Sequence, residues 1–275
     1  MGVRNLKVLI RGGGELASAV ACRLAESHFK VIMTDVSAPQ AVRRHVSFCE
    51  AVYDGYKTVE GRTARLVSSA TQSRAAWKAE EMAIIVDPDN TILGDIKPDV
   101  VVDAIIAKKN LGTRITDAGL VIGLGIGFEA GRDVHVVIET NRGHNLGRVL
   151  RSGIAEPDTG NPGDICGYTF ERVMRAPCGG IIRTVKQIGD MVKAGDIVAY
   201  VDGESIKTTI PGVIRGLIRD GTPVTKGLKS GDVDPRGRVE YIDTISDKGR
   251  TISGGVLEAI LAHFNGRSLP SISTI

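Results

Sequence analysis

Gly12, Gly14 and Ala17 stand at G-x-G-x-x-A spacing with Gly13 between the first two, and Asp35 follows Ala17 by eighteen residues. The pattern suits diphosphate chemistry. Small residues let backbone N–H groups approach phosphate oxygens. A helix starting there adds free first-turn amides and a positive dipole end, and a carboxylate about 20 residues on accepts ribose hydroxyls. Glu15 opposes this reading, because a carboxylate in the first turn occupies the place an anion would take. Close helix–strand packing alone would also call for these glycines.

A second polar cluster follows an apolar stretch. Val134, Val136 and Ile138 alternate with His135, Val137 and Glu139, and the chain then runs Thr140-Asn141-Arg142-Gly143-His144-Asn145. Ligands of open α/β sheets bind at strand carboxyl ends, so Glu139, Arg142, His144 and Asn145 are candidate catalytic or ligand-contacting residues. The plainer alternative is a loop that satisfies its own backbone, with Glu139 paired to Arg142. His135, Glu139 and His144 carry metal-compatible atoms, but a strand-to-loop spacing fixes no coordination geometry, so no stably bound metal is expected. Gly123, Gly125 and Gly127 form another glycine-rich turn, able to cradle an anion or simply to turn tightly.

Single residues add less. Asp103, inside the apolar run 100–106, needs a partner or a ligand, because an unpaired buried carboxylate is costly. Asp232 and Asp234 beside Pro235 could act as a pair, but a solvated turn is the plainer reading. Cys22, Cys49, Cys166 and Cys178 include no C-x-x-C pair. Cys178 and Cys166 are candidates for thiol chemistry with no evident activating neighbour, while Cys22 and Cys49 read as small buried hydrophobes.

These residues need elements to hold them. Val8-Leu9-Ile10 reads as a strand, and Leu16, Val20 and Leu24 recur at helical spacing after the glycines. Val31-Ile32-Met33 reads as the next strand, and Ser37 to Gln40 has capping-box spacing for another helix. Helical periodicity covers 71–82, and buried strands are expected at 83–86, 100–102, 120–122 and 134–138. The turn-rich segment 153–163 marks a boundary. Beyond it Gly180, Gly189 and Gly195 recur as Gly212, Gly221 and Gly227, each displaced by thirty-two residues. Two similar β units are therefore expected, with Asp202-Gly203 as a hairpin turn. Val256, Leu257, Ile260, Leu261 and Phe264 share one face of a final helix.

The expected fold is α/β: a Rossmann-like, doubly wound, mostly parallel sheet over 1–155, a smaller all-β barrel-sandwich-like domain over 164–245, and a C-terminal helix and tail over 250–275. Near-balanced charge, 35 basic against 32 acidic residues, argues against nucleic acid and anionic membranes as partners. With no signal peptide, lipidation motif or apolar run of about 20 residues, a soluble cytoplasmic protein is expected.

Four stretches resemble one family: Arg11-Gly12-Gly13-Gly14-Glu15-Leu16-Ala17-Ser18, Val46 to Val52, Ile122 to Phe128, and, most specifically, Val137 to Gly147. They resemble YqeB-type accessory proteins of selenium-dependent molybdenum hydroxylases, and Gly231-Asp232-Val233-Asp234-Pro235-Arg236 extends the likeness towards the end of the chain. The resemblance implies a role in maturing or loading a molybdenum hydroxylase, by handling selenium, sulfur or a nucleotide-bearing pterin. The partners would be a hydroxylase subunit or other maturation proteins. It supplies no catalytic residues.

The C-terminal half also resembles biotinyl and lipoyl carrier domains. It departs from them at Lys207, only a few residues before Pro211, where the hairpin is too short to present a carrier lysine, so a docking or structural module is expected. Two alternatives stand beside the accessory role. One is an NAD(P)-dependent oxidoreductase, motivated by Gly12, Gly14 and Asp35. The other is a structural adaptor with a vestigial loop, motivated by Glu15.

Overall fold

The computed structural model describes residues 5–157 and 160–266. Chain order begins with β1 (Lys7–Arg11), α1 (Glu15–Glu26), β2 (Lys30–Asp35), α2 (Ala51–Asp54), β3 (Tyr56–Val59), β4 (Arg62–Val67), α3 (Ala70–Lys78), β5 (Met82–Val86), α4 (Leu93–Ile96), β6 (Val100–Asp103) and β7 (Leu120–Leu124). Short strands β8 (Glu129–Ala130), β9 (Val136–Ile138), β10 (Val149–Leu150) and β11 (Gly153–Ile154) follow.

Nine of these strands make one sheet, ordered β10-β9-β7-β6-β1-β2-β5-β4-β3. All neighbours are parallel except the edge pairs β3–β4 and β9–β10. Buried parallel strands require apolar residues on both faces, which accounts for the uninterrupted runs in β1, β5 and β6. Within β1, Val8 and Ile10 join a core with α1 and a helix from the end of the chain, α5 (Asp247–Phe264). Leu9 faces the opposite core with Ala70, Ala76, Ile92 and Ile96. From β1 the chain builds one way to β2 and β5, then returns to build the other way through β6, β7 and β9. A crevice therefore opens between the carboxyl ends of β1 and β6.

Several expectations need correction. No helix follows Ser37. Residues 36–43 are irregular, succeeded by two short 3₁₀ turns. Pro39 disfavours a helical Ala38, and Gln40 reaches across to the Pro223 carbonyl (3.1 Å) instead of closing a capping box. Helix α3 ends at Lys78, not 82; Glu80 turns left-handed at φ 59° and the Glu81 N–H returns to the Ala76 carbonyl, so Met82 opens β5. The strand expected at 134–138 is shorter, Val136–Ile138.

The final helix belongs to the first unit. It starts at Asp247, capped by Ser246, and packs against α1, where a side chain on Gly249 would meet Ala19 at 2.9 Å. No helix spans 104–119 between β6 and β7, and α5 covers that end of the sheet instead. The tail beyond 266, and Asp158 and Thr159 in the boundary segment, lie outside the described residues.

The second unit contains β12 (Val173–Arg175), β13 (Gly180–Thr184), β14 (Met191–Val192), β15 (Ile197–Val201), β16 (Glu204–Lys207), β17 (Gly212–Leu217), β18 (Pro223–Val224) and β19 (Lys229–Asp234). They form two four-stranded antiparallel sheets, β12-β19-β17-β14 and β16-β15-β13-β18, around a separate apolar core. The repeat exchanges strands: β14 of the first copy pairs with β17 of the second, and β18 of the second pairs with β13 of the first. Gly180 and Gly212 occupy equivalent positions at φ 155° and 153°, and a side chain at either would run into the aspartate of its own copy, Asp202 or Asp234.

Asp232 and Asp234 are not on a solvated turn. They are buried in β19, where Asp232 binds Arg172 (2.9 Å) and Arg215 Nε (2.8 Å), and Asp234 takes two bonds from the Arg236 guanidinium (2.9 and 2.6 Å). Alternation in the Asp-Val-Asp stretch sends both carboxylates to one face of the strand, towards arginines on other elements. Lys207 closes β16 in an exposed position.

Candidate functional site

A cavity of about 630 Å³ opens where β1, β2 and β6 end, with Gly12, Gly13, Gly14 and Asp35 in its wall. Gly12 is left-handed (φ 96°), and a Cβ there would meet the Ala104–Ile105 backbone within 3.3 Å, so only glycine fits beside β6 at this edge of the crevice. Gly13 is held from both sides: its N–H donates to Asp35 Oδ2 (2.7 Å) and its carbonyl accepts from the Cys49 N–H (2.8 Å). Gly14 is the N-cap of α1, makes no side-chain cap, and has open space where a Cβ would stand. The first-turn amides have no intrahelical acceptors. Ala17 is wholly buried inside the helix and contributes packing.

Asp35 ends β2 with Oδ1 accepting from the Val36 N–H (2.8 Å). Burial lifts its pKa above the ordinary value, opposed by the Val36 and Gly13 amides. Each oxygen takes one amide and retains a lone pair for a ligand hydroxyl. Around the rim Val36, Ile105, Ile106 and Leu111 remain 37–46% exposed, an apolar surface suited to a flat ring.

Glu15 is neutralised. Its Oε1 accepts from Arg43 Nη1 (3.0 Å) and from the Ser246 hydroxyl (3.0 Å). Arg43 is itself buried, and its Nη2 donates to the carbonyls of Tyr241 (2.9 Å) and Thr244 (3.0 Å). Asp103 has a partner of its own: Arg11, opposite it in register, at 3.4 Å, with Thr113 donating at 2.6 Å. It is a buried structural pair at the floor of the crevice.

The loop after β9 is arranged differently from the expected pairing. Glu139 is buried, and its carboxylate accepts the N–H groups of Thr140, Asn141 and Glu156, each at 2.7 Å. Arg142 instead makes two bonds to Asp247 (2.8 and 3.0 Å), which hold that carboxyl down at about 2. Asn145 binds Glu156 (2.7 Å), and His144 is exposed. Arg142 and Asn141 line a smaller neighbouring cavity of about 180 Å³, which shares Ile106 with the first. His135 accepts from the Val121 N–H (3.0 Å), away from Glu139's bonds. Among the described residues no three His, Cys, Asp or Glu side chains gather as metal ligands.

Of the second glycine group, a side chain on Gly123 would strike the Phe128 ring and one on Gly127 the Lys109 backbone. Gly125 lines the smaller cavity, and its N–H is spent on the Ile138 carbonyl (2.9 Å). Close packing accounts for all three.

No family model matches the sequence. A curated Escherichia coli (strain K12) protein, described as "Uncharacterized protein YqeB", is 50% identical over 254 residues, or 92% of this chain. Over that length the chain is similar to YqeB. It spans 47% of YqeB's length, and YqeB's printed description names no ligand or reaction. Solved structures give weaker likenesses. An aspartoacylase family protein from Mesorhizobium loti has a TM-score of 0.27 at 12% identity, covering 83% of this chain and 85% of that one. The apo ectoine utilization protein EutE from Ruegeria pomeroyi has a TM-score of 0.24 at 10% identity, covering 83% and 86%. These scores are too low to carry a functional argument.

The resemblance to YqeB-type proteins includes Arg11 and Cys49 within its motifs, but the cavity-lining roles of Arg11, Arg43, Cys49 and Lys229 appear only in three dimensions. The partners of Arg43 lie 28 residues away in one direction and about 200 in the other. Cys49 lines the cavity as a thiol, since burial pushes its pKa well up. Burial also takes Cys22 up to about 12. Neither is a thiolate at neutral pH. Cys178 is part-buried and bonded to the Val201 carbonyl (3.3 Å), and Cys166 is exposed.

Proposed function

We propose that the chain binds a nucleotide, dinucleotide or nucleotide-bearing cofactor in the 630 Å³ cavity, and that it serves as an accessory protein in molybdenum hydroxylase maturation. One observation carries the binding reading: the cavity lies outside the carboxyl ends of β1, β2 and β6, where the strand order reverses, with an uncapped helix N-terminus at one side and Asp35 at another. That is where doubly wound sheets hold phosphates and ribose. Pairing to Arg43 removes the objection raised by Glu15. The hydroxylase role rests on the motif resemblance, with a molybdopterin nucleotide among the ligands it implies. The two antiparallel sheets, in a barrel-sandwich-like module, would then serve to dock on the client.

The test is gentle purification from the native host, followed by denaturation and mass spectrometry of released small molecules and of co-purified proteins. A bound nucleotide or pterin nucleotide together with a hydroxylase subunit is expected. Recovery of NAD(P) alone, with substrate-dependent reduction, would replace this reading with an oxidoreductase. No ligand, and no nucleotide binding on titration, would favour the adaptor.

A further inference from the structure

The second unit backs one wall of the cavity and contributes Lys229 to its lining. Residues 39–43 line it on one side, and behind them the Leu217 N–H donates to the Val42 carbonyl (2.8 Å) and Arg44 Nε to the Leu217 carbonyl (2.7 Å). Gly216 leaves no room for a side chain there, since a Cβ would meet Val42 at 2.8 Å. This contact brings the first residue of β19, Lys229, to the cavity.

Three cations line that cavity: Arg11, Arg43 and Lys229. Arg11 is spent on Asp103, Thr113 and the Leu111 carbonyl. Arg43 is spent on Glu15 and the carbonyls near Thr244. The Lys229 side chain is exposed and makes no hydrogen bond or ion pair among the described residues, its backbone pairing with Arg175 in the sheet. A diphosphate in the cavity brings two or more negative charges, and α1 offers only partial positive charge. Among the cations lining the cavity Lys229 is left to supply a full charge, and its flexible stem and compact ammonium suit a mobile phosphate.

We infer that Lys229 is the phosphate-binding residue supplied by the second unit, so that the site selects a nucleoside diphosphate moiety over a nucleoside and is complete only when both units are in place. The inference rests on the nucleotide reading above and adds the phosphate requirement to it.

The test is calorimetric titration of the full chain, as wild type, Lys229→Gln and Lys229→Arg, with ADP, GDP, CDP and UDP and with the four matching nucleosides. One diphosphate is expected to bind more tightly than its nucleoside. K229Q should weaken the diphosphate by about tenfold, the scale of one charge-assisted contact, and leave the nucleoside and the thermal midpoint unchanged. K229R should retain most of the affinity. Equal diphosphate affinity in K229Q and wild type, or equal losses for diphosphate and nucleoside, would overturn the role of Lys229 while leaving the nucleotide site standing. Wild type binding none of the eight probes would overturn this inference, and recovery of no nucleotide-bearing ligand from the native host as well would overturn the nucleotide reading.

Discussion

Arg43 donates to Glu15 across 3.0 Å at the first turn of α1, and its second terminal nitrogen gathers carbonyls from the segment leading to α5. One guanidinium thereby neutralises the acid nearest the glycine loop and ties that loop to the end of the chain. Arg43→Met would leave Glu15 and these carbonyls short of a donor. A loss of about 2–4 kcal/mol is expected, read as a lower urea midpoint at unchanged slope.

Asp232 holds Arg172 and Arg215 in a site where its own side chain is 1% exposed. Asp232→Asn would strand the almost fully buried Arg172 and leave Arg215 only its 3.4 Å contact with Asp234. Urea unfolding should show a cost of about 3–5 kcal/mol. A change under 1 kcal/mol would mean that Asp234 carries the network alone.

Asp247 titrates near 2 because Arg142 hydrogen-bonds it. Its folded pKa lies below the unfolded value, so the pair's contribution is fully present above about pH 4 and disappears as pH falls towards 2. Arg142→Gln should return the Asp247 titration, followed by NMR, to the ordinary carboxylate range. The stability gap between variant and wild type should close over that window.

Much of the N-terminal half was legible because its signals are local. Apolar runs fix buried parallel strands, and Gly12 to Gly14 sit between a strand and an amphipathic helix. The thirty-two-residue repeat likewise announced paired β units, although the exchange of β14 and β18 between copies needed the fold. Non-local contacts hid the rest. Ser37 to Gln40 looked like a helix start until Gln40 was drawn to Pro223, and Asp232 looked like a turn until Arg172, sixty residues upstream, arrived in three dimensions. Glu139 and Arg142 stand close in sequence yet bind different partners, because backbone amides fill Glu139 first and α5 brings Asp247 to Arg142.

Ligand affinity should depend on pH through Asp35. In the proposed nucleotide site the ionised form would accept ribose hydroxyls. Because burial raises its pKa, affinity should fall on the acid side at a higher pH than an unperturbed aspartate would give. Asp35→Asn should bind about tenfold more weakly near neutral pH and lose this acid limb. Calorimetry from pH 4 to 8 reads both effects.

The most direct test of the nucleotide site is a paired measurement of thermal stability and nucleotide affinity on Gly14→Asp. Gly14 is an N-cap in extended conformation (φ −70°, ψ −175°) with open space beyond its Cα, so aspartate fits and should cap α1 well. Its carboxylate would stand where a phosphate must bind. The account predicts a midpoint equal to or above wild type, with nucleotide affinity reduced at least about thirtyfold, or roughly 2 kcal/mol. A stable G14D protein that binds nucleotide as tightly as wild type would contradict it.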